Sequence, residues 1–239
     1  MTGFSTSEPF HKMGMRGSNT GELIFEDCEV PFDNVLGQEG RGVNVLMSGL
    51  DYERVVLSGG CIGSMAACMD AVMPYMHERK QFGESIGNFQ LIQDNIAHMY
   101  TAINSARAYV HAVAASCYRG EVTRQDAAAC ILYSAEQAMQ QAHQAVQAFG
   151  GAGFLEDSVV SRLFRDAMVL PVWEGPANIQ ALELLRLVSG KLPGDQAFID
   201  RMQSVLDDLP EAMAEEKKIL TKSLSETKNA LTYMRTHPE

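Results

Sequence analysis

The chain has 239 residues, of which 46% are hydrophobic and 21% are charged, and its formal net charge is −11. This length is enough for one or two domains with a sizeable hydrophobic core. The acidic balance argues against nucleic acid as the main partner. No apolar run is expected to reach the length that crosses a membrane, so no membrane partner is predicted.

The first part of the chain predicts β-structure. Residues 20–31 have the composition of a strand that ends at Pro31. Residues 1–8 resemble the interior of a domain, and one or two strands alone do not form a stable sheet. We therefore expect either that the chain is a fragment or that the missing strands lie elsewhere.

Long helical patterns follow this first part. Asn88 is expected to cap one helix, and Thr123 with Asp126 is expected to form a capping box at another. The predicted helices cover residues 44–78, 89–119, 123–149, 157–166, 177–188, 194–209 and 211–234. The first three are much longer than the mean of about 11–12 residues. Because short loops join them, they predict an antiparallel bundle.

Two glycine-containing segments follow helices. Residues 79–83 (RKQFG) are typical of a helix C-terminus with solvated charges, and the functional alternative is an arginine with backbone amides that bind a phosphate. Residues 147–153 contain a glycine cluster. No strand precedes this cluster, which excludes a Rossmann dinucleotide fingerprint. Its glycines still allow a ligand to approach the backbone, with Gln147 as a hydrogen-bonding partner.

Two carboxylates are candidate general bases. Glu174 lies beside Gly175 after an apolar run, and Glu53 lies between Asp51 and Arg54 in a mostly apolar helical pattern. A carboxylate in a dry site can remove a proton from a substrate. The structural alternatives are an ion pair of Glu53 with Arg54 and a favourable interaction of Glu174 with a helix N-terminus.

The cysteines and histidines do not predict a disulfide framework or a metal site. Five cysteines are an odd number, and none forms a CxxC pair. This is typical of reduced, mostly buried thiols in an intracellular protein. The six histidines are scattered, with none at ligand spacing from another or from a cysteine.

Several short runs, taken together and in this order, resemble the acyl-CoA dehydrogenase family over residues 1–188. They lie at residues 12–20, 22–27, 30–31, 35–37, 79–83, 90–93, 147–153, 165–167 and 174–175. Each run is weak alone, but the ordered set is specific. Within the family, residues 47–54 are most similar to the isovaleryl-CoA dehydrogenase branch, and residues 173–186 are also similar to the AidB-like branch.

The resemblance implies a mainly α fold. This fold is the antiparallel four-helix-bundle-type C-terminal domain of the acyl-CoA dehydrogenases, preceded by a remnant of a β-domain. Residues 1–37 are expected to be the last strands of the middle β-domain, residues 38–190 the helical bundle, and residues 191–239 a helical extension.

The resemblance also implies roles for individual residues. The catalytic base is Glu53 or Glu174, and the sequence around Glu53 favours that residue. Asp51, Arg54 and Gly175 match positions that contact acyl-CoA. The positions that match FAD contacts are Arg79, Gln81, Phe82, Gln90, Gln147, Gly150, Gly151 and Asn178.

The implied activity is the FAD-dependent dehydrogenation of an acyl-CoA, short or branched, to the trans-2-enoyl-CoA. Electrons are then expected to pass to an electron-transfer flavoprotein. The resemblance implies a homotetramer in a bacterial cytoplasm or a mitochondrial matrix, serving fatty acid or branched-chain amino acid catabolism. Two alternatives stay open: a noncatalytic helical fragment for oligomerisation or binding, and an AidB-like flavoprotein.

Overall fold

The computed structural model describes residues 1–173 and 194–236. The chain divides into two compact units, Met1–Pro176 and Ala177–Glu239. This division is based on contacts between residues, whereas the expected boundary at residue 190 is based on composition. The assignment of the chain to three segments stays a prediction. The helix predicted over residues 177–188 lies outside the described residues.

The described residues are mainly helical, which confirms the predicted fold class. The first unit contains β1 (Phe4–Thr6), β2 (Leu23–Phe25), α1 (Gly42–Glu78), β3 (Lys80–Gln81), β4 (Glu84–Ser85), α2 (Gln90–Tyr118), α3 (Arg124–Phe149), α4 (Val159–Ala167) and α5 (Leu170–Trp173), with 3₁₀ turns at Phe32–Asn34, Ile86–Asn88 and Gly150–Phe154. The second unit contains α6 (Gly194–Asp207), a 3₁₀ turn at Glu211–Met213 and α7 (Ala214–Thr236).

Strands β1 and β2 form a short antiparallel pair with Phe4 opposite Phe25. The centroids of these two rings are 5.2 Å apart. The strand predicted over residues 20–31 is much shorter in the structure, because Asp27 has a φ of 46°. This left-handed conformation ends the extended run.

Helices α2 and α3 run antiparallel, as the short loop between them predicts. Near the start of α2, the Asn95 amide donates to the carbonyl oxygen of Gln144, near the end of α3, at 3.2 Å. Further along α2, the ring centroid of Tyr109 lies 6.0 Å from that of Tyr133, which is nearer the start of α3.

Helices α1 and α3 run parallel, because α2 reverses the chain direction between them. The Gln141 amide donates to the carbonyl oxygen of Met65 at 2.7 Å. Later in both helices, the Tyr75 hydroxyl donates to the carbonyl oxygen of Phe149 at 3.3 Å. The contacts therefore follow the same order along the two helices.

Small side chains on α3 allow this close packing. Its buried residues are Ala127, Ala128, Cys130, Ile131, Ser134, Ala135, Ala138, Gln141, Ala142, Ala145 and Ala148. Six of them, Ile131, Ala135, Ala138, Ala142, Ala145 and Ala148, pack in clusters with fully buried Met65, Val72 and Met99 of the other two helices. The alanine-rich sequence thus allows the helices to approach at interior packing density.

One predicted cap is confirmed and the other is wrong. At the start of α3, the Asp126 backbone N–H donates to Thr123 Oγ1 (3.1 Å), and the Thr123 backbone N–H donates to Asp126 Oδ2 (3.2 Å). Asn88 does not cap α2, because the N-cap position is taken by Phe89; the Asn88 side-chain amide instead donates to Glu84 Oε2 at 3.0 Å. Phe89 precedes α2 and has no capping side chain.

Within the described part of the chain, α1 is the one helix that is long and apolar enough to cross a membrane. The expectation that no apolar run reaches that length is therefore wrong. Core helices pass the same test, and α1 buries Cys61, Met65, Cys68 and Val72 completely inside the bundle. Part of its apolar surface therefore belongs to a protein core.

In the second unit, α6 and α7 form a helical pair with a small core of Ile199, Leu206 and Leu224. Pro210 separates the two helices, as predicted. Proline has no backbone N–H to donate within a helix, and the 3₁₀ turn that follows it redirects the chain.

Candidate functional site

Residues 79–83 belong to a tight β-hairpin. Helix α1 ends at Glu78, and Arg79 is extended, so the expected last helical turn with basic residues is wrong. Strands β3 and β4 pair antiparallel around Phe82 and Gly83, whose φ angles are 54° and 88°. Positive φ at both central residues is typical of two-residue hairpin loops. The turn leaves Phe82 95% exposed.

The glycine cluster forms a 3₁₀ turn directly after α3. Gly150 has a φ of 59°, a conformation that favours glycine. A Cβ atom at buried Gly153 would lie 2.6 Å from the carbonyl oxygen of Val146, whereas one at Gly150 or Gly151 would meet no atom within 4 Å. The cluster therefore packs tightly at Gly153 and exposes its backbone at the two earlier glycines.

The hairpin and the glycine turn border one cleft of about 430 Å³, here called the hairpin cleft. Its walls include Arg79, Gln81, Phe82, Gln147, Gly150 and Gly151. The structure thus brings together six of the eight positions that the sequence assigned to cofactor binding. Gln90 is exposed and is not part of this wall. Asn178 lies outside the described residues.

Aromatic residues that the sequence analysis did not single out also line the hairpin cleft. The rings of Tyr75 and Phe149 are stacked, with centroids 4.0 Å apart and an interplanar angle of 8°. Phe89 meets Phe82 edge-on at 6.2 Å. Tyr75 and Phe149 lie in the last turns of α1 and α3, close in sequence to residues 79–83 and 147–153. This proximity is the one feature of the sequence that could have predicted their place in the cleft.

The polar groups of the hairpin cleft suit an anionic ligand. Within the described part of the chain, the Arg79 side chain makes no hydrogen bond or ion pair. A free guanidinium can bind a phosphate with two parallel hydrogen bonds. Beside the aromatic wall, this arrangement matches a ligand that carries both a flat ring and a phosphate.

The charged residues of α1 lie on different faces of the helix. Glu53 is exposed, whereas Arg54 is only 6% exposed, because adjacent helical residues do not face each other. The structural alternative of an ion pair between Glu53 and Arg54 is therefore wrong. Asp51 instead pairs with Arg124 at the start of α3, with Oδ1 and Nε 3.6 Å apart.

Three polar atoms of these α1 side chains are buried and have no hydrogen-bond partner among the described residues. They are the Nε and Nη1 atoms of Arg54 and the Oδ1 atom of Asp51. The 3.6 Å separation from Arg124 is too long for a hydrogen bond. Buried polar groups are normally satisfied, so these atoms indicate a place for a further partner.

Glu174 and Gly175 lie outside the described residues. Their position relative to Glu53 is therefore not described. The choice between Glu53 and Glu174 as the base stays a prediction.

The cysteines are mostly buried and unpaired, as predicted. Cys61, Cys68 and Cys130 are buried, and Cys28 and Cys117 are partly exposed. Burial raises the pKa of the Cys68 thiol to about 12. It also raises the pKa values of Cys61 and Cys130. These thiols therefore stay protonated at neutral pH.

Residues 40–188 match the family described as "Acyl-CoA dehydrogenase, C-terminal domain". The chain belongs to the acyl-CoA dehydrogenase family. It is 52% identical over 186 residues to the mitochondrial 2-methylacyl-CoA dehydrogenase of Solanum tuberosum, covering 78% of this chain and 45% of that protein. It is 50% identical over 186 residues to the mitochondrial isovaleryl-CoA dehydrogenase of Pongo abelii, covering 78% and 44%.

A solved structure of butyryl-CoA dehydrogenase from Megasphaera elsdenii shares the fold of this family member. The TM-score is 0.73 at 34% sequence identity, over 76% of this chain and 47% of that chain. The chain spans about half the length of the relatives it matches. The 50% identity to the isovaleryl-CoA dehydrogenase of Pongo abelii confirms the predicted sequence similarity to that branch.

Proposed function

We propose that this chain contributes the helical part of an FAD-dependent acyl-CoA dehydrogenase. The reaction is the oxidation of a short or branched acyl-CoA thioester to the trans-2-enoyl-CoA. The hairpin cleft carries the proposal, because residues matched to FAD contacts by the family resemblance line one cavity there. The 2-methylacyl-CoA and isovaleryl-CoA dehydrogenase relatives support a branched substrate.

The hairpin cleft fits the adenine and pyrophosphate parts of FAD. The stacked Tyr75 and Phe149 pair offers aromatic surface to adenine. Arg79 offers a phosphate a guanidinium that no described residue pairs with, and the exposed backbone of Gly150 and Gly151 allows a close approach. When bound, FAD supplies the oxidant that accepts a hydride from the β-carbon of the substrate.

Asp51 and Arg54 are proposed to bind the CoA part of the substrate. Arg54 offers donors at Nε and Nη1, and Asp51 offers an acceptor at Oδ1; none of these atoms has a hydrogen-bond partner among the described residues. An amide needs one donor and one acceptor. The amides of the pantetheine arm of CoA therefore match this pair of side chains.

Glu53 is proposed as the base that removes the α-proton of the substrate. Its side chain is exposed on α1, and it makes no hydrogen bond or ion pair within the described residues. No described residue therefore competes for this carboxylate, and the dry site that a base requires has to come from the bound substrate and the rest of the enzyme. Glu174, at the other family position, is the alternative base.

The flavin-loaded enzyme tests this proposal in an anaerobic stopped-flow experiment with isovaleryl-CoA. Glu53→Gln is expected to slow flavin reduction by about 10²–10⁴-fold, because it removes the general base. Glu174→Gln is the matched control and is expected to slow it only slightly. The reverse ranking assigns the base to Glu174. If no acyl-CoA reduces the wild-type flavin, the noncatalytic alternative replaces this proposal.

We also propose that the enzyme is a homotetramer that passes electrons to an electron-transfer flavoprotein, in a mitochondrial matrix or a bacterial cytoplasm. Phe82 supports the assembly, because it is 95% exposed in a turn with a φ of 54°. Aromatic residues are enriched at protein interfaces, so an aromatic side chain this exposed suits a surface that a partner covers. The mitochondrial relatives support the location.

A further inference from the structure

Arg124 links the proposed substrate residues on α1 to the start of α3. Its Nε atom lies 3.6 Å from Asp51 Oδ1, and the two side chains are 43% and 24% exposed. Arg124 is the first residue of α3 and directly follows the Thr123 cap. The ion pair therefore joins two helices at a partly shielded position.

The location of Arg124 is not explained by the stability of α3. A positive charge at a helix N-terminus interacts unfavourably with the helix dipole. The capping box of Thr123 and Asp126 already satisfies the end of the helix. The Asp51 carboxylate is the group near this end that favours an arginine there.

Asp51 has a second possible cation partner in its own helix. Arg54 lies three residues further on, and residues at this spacing face each other on a helix. Nevertheless, these two side chains form no ion pair, and the Nε and Nη1 atoms of Arg54 have no hydrogen-bond partner in the part of the chain that the structure describes. The carboxylate interacts with Arg124 instead.

We propose that Arg124 is a positioning residue for acyl-CoA binding. By attracting the Asp51 carboxylate, it prevents an internal Asp51–Arg54 ion pair and keeps both groups available to the CoA part of the substrate. This inference rests on the proposed function, from which the roles of Asp51 and Arg54 come.

The loss of Arg124 should therefore affect binding more than chemistry. Without it, the Asp51 carboxylate turns toward Arg54, and the substrate has to displace this internal partner. The proposed base and the hairpin cleft contain no part of the ion pair. A change confined to ground-state binding raises KM and leaves kcat unchanged.

The experiment is steady-state kinetics of the flavin-loaded enzyme with isovaleryl-CoA and an electron acceptor. Arg124→Ala is expected to raise KM about tenfold with kcat within about twofold of the wild type. Arg124→Lys, which retains the charge, should recover most of the affinity. Arg119→Ala is the matched control, because Arg119 is an exposed arginine that pairs with Glu121 at 2.6 Å, and its KM should not change.

A double-mutant cycle separates positioning from a general loss of structure. Because asparagine at position 51 cannot form the internal ion pair, Asp51→Asn combined with Arg124→Ala should have the same KM as Asp51→Asn alone. Additive effects of the two changes overturn the inference. So does an unchanged KM in Arg124→Ala, or a lowered kcat and Tm that Arg124→Lys does not restore. A wild-type enzyme that oxidises no acyl-CoA instead marks failure of the proposed function.

Discussion

The hairpin cleft and the charged segment of α1 are built in different ways. The cleft depends on backbone conformation, with positive φ angles at Phe82, Gly83 and Gly150. The α1 segment is regular helix, in which the helical period exposes Glu53 and buries Arg54. Substitutions beside the cleft should therefore reduce stability, whereas substitutions in the α1 segment should reduce ligand binding at little cost in stability.

The largest stability loss is expected at the glycine turn. Gly153→Ala should lower the free energy of unfolding by about 1–3 kcal/mol, because the new Cβ atom would lie 2.6 Å from the Val146 carbonyl oxygen. Gly151→Ala is the matched control, since its Cβ atom would meet nothing within 4 Å. Urea unfolding of both variants measures the difference. Equal losses would show that backbone packing does not set the shape of this turn.

For Arg54 in the α1 segment, we expect a substitution that does not lower the free energy of unfolding. Arg54→Met should leave the free energy of unfolding unchanged or raise it by about 1 kcal/mol, because it removes buried donors that have no hydrogen-bond partner among the described residues. The same change should abolish acyl-CoA binding, measured by calorimetry on the flavin-loaded enzyme. A variant that is destabilised but still binds acyl-CoA would contradict the distinction between the two regions.

A smaller effect is expected at the α3 cap, which holds Arg124 in place. Thr123→Ala should cost about 1 kcal/mol of stability, because it removes the acceptor for the Asp126 backbone N–H. Thr101→Ala on the exposed surface of α2 is the control and should be neutral or slightly stabilising. Thermal unfolding of the two variants checks this prediction. Equal Tm values would show that packing alone fixes the start of α3.

The smallest effect near neutral pH concerns the buried thiols, which belong to the core beneath both regions. Because burial raises the pKa of Cys68 from 9.0 to about 12, its contribution to stability is constant below pH 9. This contribution falls as the pH rises from 9 toward 12, since the unfolded thiol ionises first.

At pH 8, a thiol reagent should modify Cys28 and Cys117 before the buried cysteines. Mass spectrometry identifies the modified residues, and early labelling of Cys68 would contradict the burial.

The long helices were predictable because spacing and caps act over one or two turns. Helix α3 starts after the Thr123–Asp126 capping box and ends at Phe149, as predicted. The hairpin after α1 was not predictable in the same way. Its turn requires a positive φ at Phe82, which side-chain sterics disfavour for phenylalanine. The sequence of residues 79–83 therefore predicted an ordinary helix C-terminus.

By itself, the sequence determined the helical class, the family, and the residue types available for a cofactor and a substrate. Only the tertiary structure decided that Arg79 and Gln147 line one cleft with Tyr75. It also decided that Asp51 interacts with Arg124 of another helix. Spacing and capping patterns cannot predict such pairs, because the packing of parallel and antiparallel helices brings together residues that are far apart in the chain.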